Sequence, residues 1–361
     1  MPSEISRSIR KHLLSFGGGV LFALPDPALR RLFGDPPEVA RGLRPDSWAL
    51  ARITGLVEGP APADTAAKRI DTEDLAWAAS DRLPVPVEAE DIDLGDAAAP
   101  LRARLYRPRA ATQPGPLLVY FHGGGWVVGS LDSHDFSCRR LAAATNARIL
   151  AVDYGLAPED PFPRAPDDAL RAWDAVTGDP DRFGADPERI AVGGDSAGGN
   201  LAAVLCQDLR AANRPQPHFQ LLIYPVAEIG SDWDSYDEFE TGFYLTREQM
   251  DWYDARYVPD GAGDDPRASP LKARDFSGLA PAYVITSLAD PLRDEGEAYA
   301  AKLMEAGVDT RLDRFPLLHA WFNQTKTRSA RTAHRILAER IVELFAAKPV
   351  PARSEGSAGA A

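Results

Sequence analysis

Residues 189–210 read RIAVGGDSAGGNLAAVLCQDLR. Arg189–Gly193 is a short apolar run of strand type. From Asn200 to Arg210 the apolar residues recur at helical spacing. Between the two lies Gly194-Asp195-Ser196-Ala197-Gly198, a G-x-S-x-G sequence. A serine squeezed between strand and helix sits on a tight, strained turn. That turn lifts its hydroxyl out of the sheet, and the helix N-terminus adds partial positive charge beneath it. A glycine-rich connection with an incidental serine has the same local composition, so the rest of the chain must decide.

Outward from this stretch the chain repeats strand, loop and helix. Strand-like runs fall at Leu117–Phe121, Arg148–Val152, Phe219–Tyr224, Ala282–Ser287 and Thr310–Phe315. Helical patterns lie between them at Phe136–Thr145, Asp167–Val176 and Glu295–Ala306. Continuous apolar strands separated by helices predict an α/β fold with a parallel sheet covered on both faces. Two alternating runs, from Val85 and over Leu101–Tyr106, bring the count to about eight and predict an antiparallel edge.

Residues 1–83 have helical spacing punctuated by proline and read as an N-terminal helical segment. Residues 84–348 read as the main domain, and 349–361 as a disordered tail. An insertion over about 226–260, too long for an ordinary loop, is expected to fold over the sheet. Residues 7–24 faintly resemble a secretory leader, but Gly17–Gly19 interrupt the apolar run and no cleavage site follows.

The net charge of −13 argues against a nucleic-acid partner, which needs a basic face. No apolar stretch is long enough to predict a membrane span. Two cysteines, Cys138 and Cys206, do not make a disulfide framework, and free thiols fit a reducing cytoplasm. Cys206 is expected to pack inside its helix.

The second chemical motif is His122-Gly123-Gly124-Gly125-Trp126, directly after a predicted strand. Consecutive glycines let the backbone turn its amides toward an open space. The amides of Gly124, Gly125 and Ala197 are the expected donors to an oxyanion. The loop lacks the Lys-Ser/Thr ending of a phosphate-cradling loop and the G-x-G-x-x-G spacing of a dinucleotide site.

A serine nucleophile needs a base, and in such sheets the order is serine, acid, histidine. His319 follows the predicted strand Thr310–Phe315 and is the expected base. His334 lies inside a predicted helix and reads as an exposed surface residue. Asp290 is the first carboxylate past the strand Ala282–Ser287 and is favoured as the acid; Asp294 and Glu295 compete with it. Ser196, His319 and Asp290 point to acyl transfer onto a serine, with no cofactor and no metal.

Three segments, His122–Trp126, Gly194–Gly199 and Asp153-Tyr-Gly-Leu-Ala-Pro-Glu159, resemble those of the hormone-sensitive-lipase-like esterases. Asp265–Leu271 and Asp290–Gly296 also fit. The resemblance implies the α/β-hydrolase fold, with the N-terminal helices and the insertion forming a helical cap. It implies a carboxylesterase acting on short- to medium-chain acyl esters, a small-molecule ester as partner, and pairing of copies through the last strand. An amidase or aryl-formamide hydrolase with the same three residues, and a non-catalytic ligand-binding protein on this fold, are the alternatives.

Asp195, Trp126, Phe243, Tyr244 and Trp321 are the candidate pocket residues. Asp153, Glu159 and His122 are expected to be structural supports. Two departures stand out. Gly155 replaces the family's arginine, which predicts a lost local salt bridge, and His319-Ala320-Trp321 replaces His-Gly-Phe, with Trp321 expected to narrow the pocket.

Overall fold

Strong β-formers at the centre of the chain carry the architecture. The computed structural model describes residues 19–57, 64–81, 84–95 and 99–347. The leader-like residues 7–18 and the tail 349–361 lie outside the described residues. Eight strands form one sheet: β1 (Val87–Asp93), β2 (Arg102–Pro108), β3 (Gly115–Phe121), β4 (Arg148–Val152), β5 (Ala185–Asp195), β6 (Gln220–Ile223), β7 (Ala282–Ala289) and β8 (Thr310–Leu318). Their spatial order is β1-β2-β4-β3-β5-β6-β7-β8. The β1–β2 and β2–β4 pairs are antiparallel and every later pair is parallel, as the two alternating early runs predict.

Parallel neighbours need crossovers, and helices supply them. In chain order the helices are α1 (Asp26–Phe33), α2 (Pro45–Val57), α3 (Thr65–Ala79), α4 (Leu131–Thr145), α5 (Arg164–Gly178), α6 (Pro180–Phe183), α7 (Ala197–Ala211), α8 (Asp234–Glu238), α9 (Arg247–Tyr257), α10 (Arg293–Glu305) and α11 (Arg328–Ala346). One buried cluster joins the sheet to Trp173 of α5, Leu201 of α7 and Tyr299 of α10. Another joins the opposite face to Cys138 of α4 and Leu337 of α11. Strands buried on both faces explain why their sequences are continuously apolar. Cys206 is buried in α7 as expected.

Helix α4 begins five residues before the predicted Phe136, at Leu131, because Ser130 caps it: its Oγ accepts from the Asp132 and Ser133 amides. A third cluster unites Leu29 and Leu50 of α1 and α2 with Phe239 and Phe243 of the insertion. The N-terminal helices and the insertion therefore share a core, although nearly two hundred residues of chain separate them.

Candidate active site

The strand-to-helix turn at Ser196 has the strain its sequence predicts. Ser196 takes φ 55° and ψ −120°, a conformation rare for a residue with a side chain. The surrounding packing holds it there: its amide donates to Ile223 O (2.8 Å), and its carbonyl accepts from the Asn200 amide (3.1 Å). A side chain at Gly198 would collide with the backbone of Phe121 in β3, so that position admits only glycine.

His319 follows β8 and Asp290 follows β7. His319 Nε2 lies 3.0 Å from Ser196 Oγ, and its Nδ1 lies 2.8 Å from Asp290 Oδ2. All three side chains are buried. The Leu292 amide donates to the other Asp290 oxygen (3.0 Å), fixing the carboxylate. Gln324 Nε2 donates to the His319 carbonyl (3.1 Å). The competing acids are engaged elsewhere. Asp294 pairs with Arg293 and accepts from the Ser235 amide, while Glu295 accepts from the Ala227 amide (2.7 Å) and the Tyr236 hydroxyl. Burial pushes the Glu295 carboxyl up to about 8.

The His122–Trp126 loop lies across from the serine. Gly124 has φ +125°, and a side chain there would strike Val128 O. The Val127 and Val128 amides both donate to Gly124 O (3.1 and 3.0 Å), closing the loop into a tight turn. Gly124, Gly125, Ala197, Ser196 and His319 belong to this one corner: Gly124, Gly125, Ser196 and His319 line a single cavity, and Ala197 opens α7 beside it. His122 is a support. Its Nδ1 lies 2.9 Å from Gly123 O, its ring stacks on Tyr154, and burial pushes its imidazole down to about 4.

The sequence offers five pocket candidates, and the structure separates them. Trp126 and Tyr244 line the cavity. Phe243 does not; it is buried between Trp48 and Phe239 in the shared core of α2 and the insertion. Trp321 does not narrow the cavity either. It is buried edge-on to Tyr224 and against Phe315, behind His319 rather than in front of it. Asp195 reaches the cavity wall, but its carboxylate is taken: Tyr120 Oη (2.6 Å), the Gly123 amide (2.9 Å) and Tyr224 Oη (3.2 Å) all donate to it. His134 Nε2 lies 3.2 Å away. Burial pushes the Asp195 carboxyl up, but His134 and these donors outweigh it and hold the group below its ordinary value.

Two further readings are corrected. His334 is buried, not exposed: its Nε2 meets Phe322 O (2.7 Å), it stacks on Phe322, and burial pushes it down to about 4. His334 lies on the one buried face of α11, with Ala330, Ala333, Leu337, Ala338 and Ile341, while Thr332, Arg335 and Glu339 on the opposite face are exposed. At Gly155 a salt bridge is present after all. Arg164 lies across the glycine and pairs with Asp168 (2.8 Å), and a Cβ on residue 155 would come within 2.7 Å of the Arg164 side chain. The glycine makes room for an arginine nine positions later.

Other cavity residues were not foreseen. One side carries Lys68, Thr72 and Ser133; the other carries Ile229, Met250 and Tyr253, with Glu228 and Asp254 among them. Burial pushes the Asp254 carboxyl up to about 7, and Asp251 adds to the shift. Scattered single residues on helices and on the loop after β6 have no local pattern that could announce them.

Comparison with known proteins agrees with this architecture. Residues 118–323 match a family model described as an alpha/beta hydrolase fold. The chain is 39% identical to the carboxylic ester hydrolase LipN of Mycobacterium tuberculosis over 86% of each chain. It is 41% identical to an ethyl acetate hydrolase of Pseudomonas putida, over 60% of this chain and 69% of that protein. Among solved structures, the ester-hydrolase EH1AB1 from the metagenome of Lake Arreo superposes with a TM-score of 0.80 at 38% identity, covering 84% of this chain and 100% of that one. The chain belongs to the α/β-hydrolase fold family, on its hormone-sensitive-lipase-like carboxylesterase branch.

Proposed function

We propose that this carboxylic-ester hydrolase works through Ser196 as nucleophile, His319 as base and Asp290 as orienting acid, on short- to medium-chain acyl esters of small molecules. The continuous line from Asp290 Oδ2 through His319 to Ser196 Oγ, with legs of 2.8 and 3.0 Å, carries this reading. His319 takes the proton of Ser196 as its oxygen attacks the ester carbonyl. The Gly124, Gly125 and Ala197 amides stabilise the resulting oxyanion. His319 then protonates the departing alcohol, and water, deprotonated by the same imidazole, releases the acid from the serine. Asp290 holds the ring and stabilises its cation without taking the proton.

Helices α1–α3, α8 and α9 act as a cap. The cavity of about 150 Å³ beneath it supports a small ester rather than a long acyl chain. The unpaired, buried Cys138 and Cys206 support a cytoplasmic location. The open side of β8 at the sheet edge supports pairing of two copies there.

Hydrolysis of p-nitrophenyl butyrate by wild type and Ser196→Ala tests the chemistry. The variant should lose on the order of a million-fold in kcat. Equal rates in the two proteins would refute it. A series of acyl lengths tests the size limit; a maximum at palmitoyl would overturn it. A matched amide turned over faster than its ester would point to an amidase instead.

A further inference from the structure

Helix α3 meets the glycine loop by an interaction that the three-residue mechanism does not use. Arg69, half-buried on α3, donates from Nε to Val127 O (2.8 Å). Its Nη2 donates to Ala157 O (2.9 Å). Glu159 grips the same guanidinium with both oxygens, at 2.9 and 2.6 Å. The Ala157 amide in turn donates to Trp126 O (2.8 Å). The residues on the exit side of the Gly124–Gly125 turn are thereby tied in a closed ring: Trp126 to Ala157, Ala157 to Arg69, Arg69 to Val127.

One turn further along α3, Glu73 accepts from Ser130 Oγ (3.0 Å), three residues past Val127 where the same loop runs into α4. Arg69 and Glu73 are spaced i, i+4 and share a helix face. A neighbouring strip of the same helix, Thr72, Leu75, Ala76 and Ala79, lines the cavity. One rigid element therefore touches both the space a substrate fills and the loop whose amides would face the oxyanion. On the opposite flank the Tyr253 ring of α9 lies against Gly125, where a Cβ would strike it.

We propose that Arg69 is a positioning residue for ester hydrolysis: through the Val127 and Ala157 carbonyls it holds the Gly124 and Gly125 amides on target, so that closure of the cap completes the oxyanion site. The inference rests on the assignment of those amides as oxyanion donors. A planar, always-charged fork fits this task, because it can serve two carbonyls and a bidentate carboxylate at once. Lysine, with one point charge, can serve part of it. A loop displaced by about an ångström loses transition-state stabilisation while ground-state binding changes little.

The test compares wild type with Arg69→Ala, Arg69→Lys and Glu159→Gln. Each is measured for kcat and KM on p-nitrophenyl butyrate, for inhibition by a trifluoromethyl ketone, which forms an oxyanion on the serine, and for thermal midpoint. Arg69→Ala should lower kcat by about 10–100-fold with KM within about threefold, and should weaken the ketone in parallel. Arg69→Lys should recover part of the rate. Glu159→Gln, which frees the fork without removing it, should show the same signature to a smaller degree, and it keeps the test alive should the alanine variant not fold. A fall in thermal midpoint with kcat and ketone affinity unchanged would reduce Arg69 to glue for the cap and overturn the proposal. A raised KM at constant kcat would make it a substrate contact and overturn it equally. Activity persisting in Ser196→Ala would instead overturn the serine mechanism itself.

Discussion

Two buried aspartate–histidine pairs stand at this site. Asp290 meets His319 at 2.8 Å, and Asp195 meets His134 at 3.2 Å. Both carboxylates are almost fully buried. They differ in what else they touch. Asp195 also accepts from two tyrosine hydroxyls and a backbone amide, and no serine hydroxyl waits beyond its histidine except Ser133, which is occupied in the cap of α4. Asp290 accepts from one amide and one imidazole, and that imidazole turns its other nitrogen to the Ser196 hydroxyl. A saturated network fixes structure, because each member left unpaired would cost the full desolvation of a buried polar group. An unsaturated chain with one mobile proton can do chemistry. Proximity of aspartate and histidine thus does not by itself separate the two roles; the remaining partners do.

The contrast is broken most sharply by exchanging each carboxylate for its amide. Asp290→Asn should lower kcat by about 10⁴-fold with a near-normal fold, because the amide favours the wrong tautomer of His319. Asp195→Asn should instead cost roughly 2–4 kcal/mol in denaturant unfolding, since one of its donors would face an N–H, with a far smaller loss of rate. If the two phenotypes came out reversed, Asp195 and not Asp290 would be the working acid.

Glu295 sharpens the comparison from the other side. It is as buried as Asp195, but a hydroxyl and backbone amides do not offset its desolvation, and Asp254 adds to the upward push. Its folded value of about 8 lies above the ordinary carboxyl value of 4.5. A raised folded value means its contribution to stability is complete below about pH 4.5 and is lost as pH rises toward 8. Glu295→Gln should therefore gain thermal midpoint relative to wild type between pH 5 and 8. A difference that is flat across that range would show that the carboxyl is ionised throughout.

The smallest effect is expected beside His319. Ala320 occupies the left-handed region, at φ 59°, where its Cβ is strained. Ala320→Gly should relieve roughly 1 kcal/mol of that strain, visible as a modest rise in unfolding midpoint. A drop in midpoint would mean that the methyl packs well enough to outweigh the backbone cost.

How much of this was legible beforehand follows from range. The turn at Ser196, the glycines at 124 and 125, and the positions of Asp290 and His319 just past strand ends are local facts, written in short windows of apolar runs and small residues. The surroundings of Trp321 and Phe243 are not local. An aromatic near the site in sequence looks the same whether it faces the cavity or the core; the turn at Ala320 decides it for Trp321, and packing against Trp48 and Phe239 decides it for Phe243. His334 is buried because its helix packs on the loop that carries Phe322, a contact distant from its own polar neighbours in the chain.

The amino-acid sequence alone determined the strand–turn–helix order, the strained serine and the placing of Asp290 and His319 just past strand ends, because hydrophobic period and glycine placement act over a few residues. Tertiary structure alone decided which aspartate is saturated by four partners and which keeps only two, brought Arg69 to the glycine loop nearly sixty residues away, and filled the gap at Gly155 with Arg164. Those outcomes depend on which distant donors and acceptors meet in a shared low-dielectric interior, and no local pattern encodes that meeting.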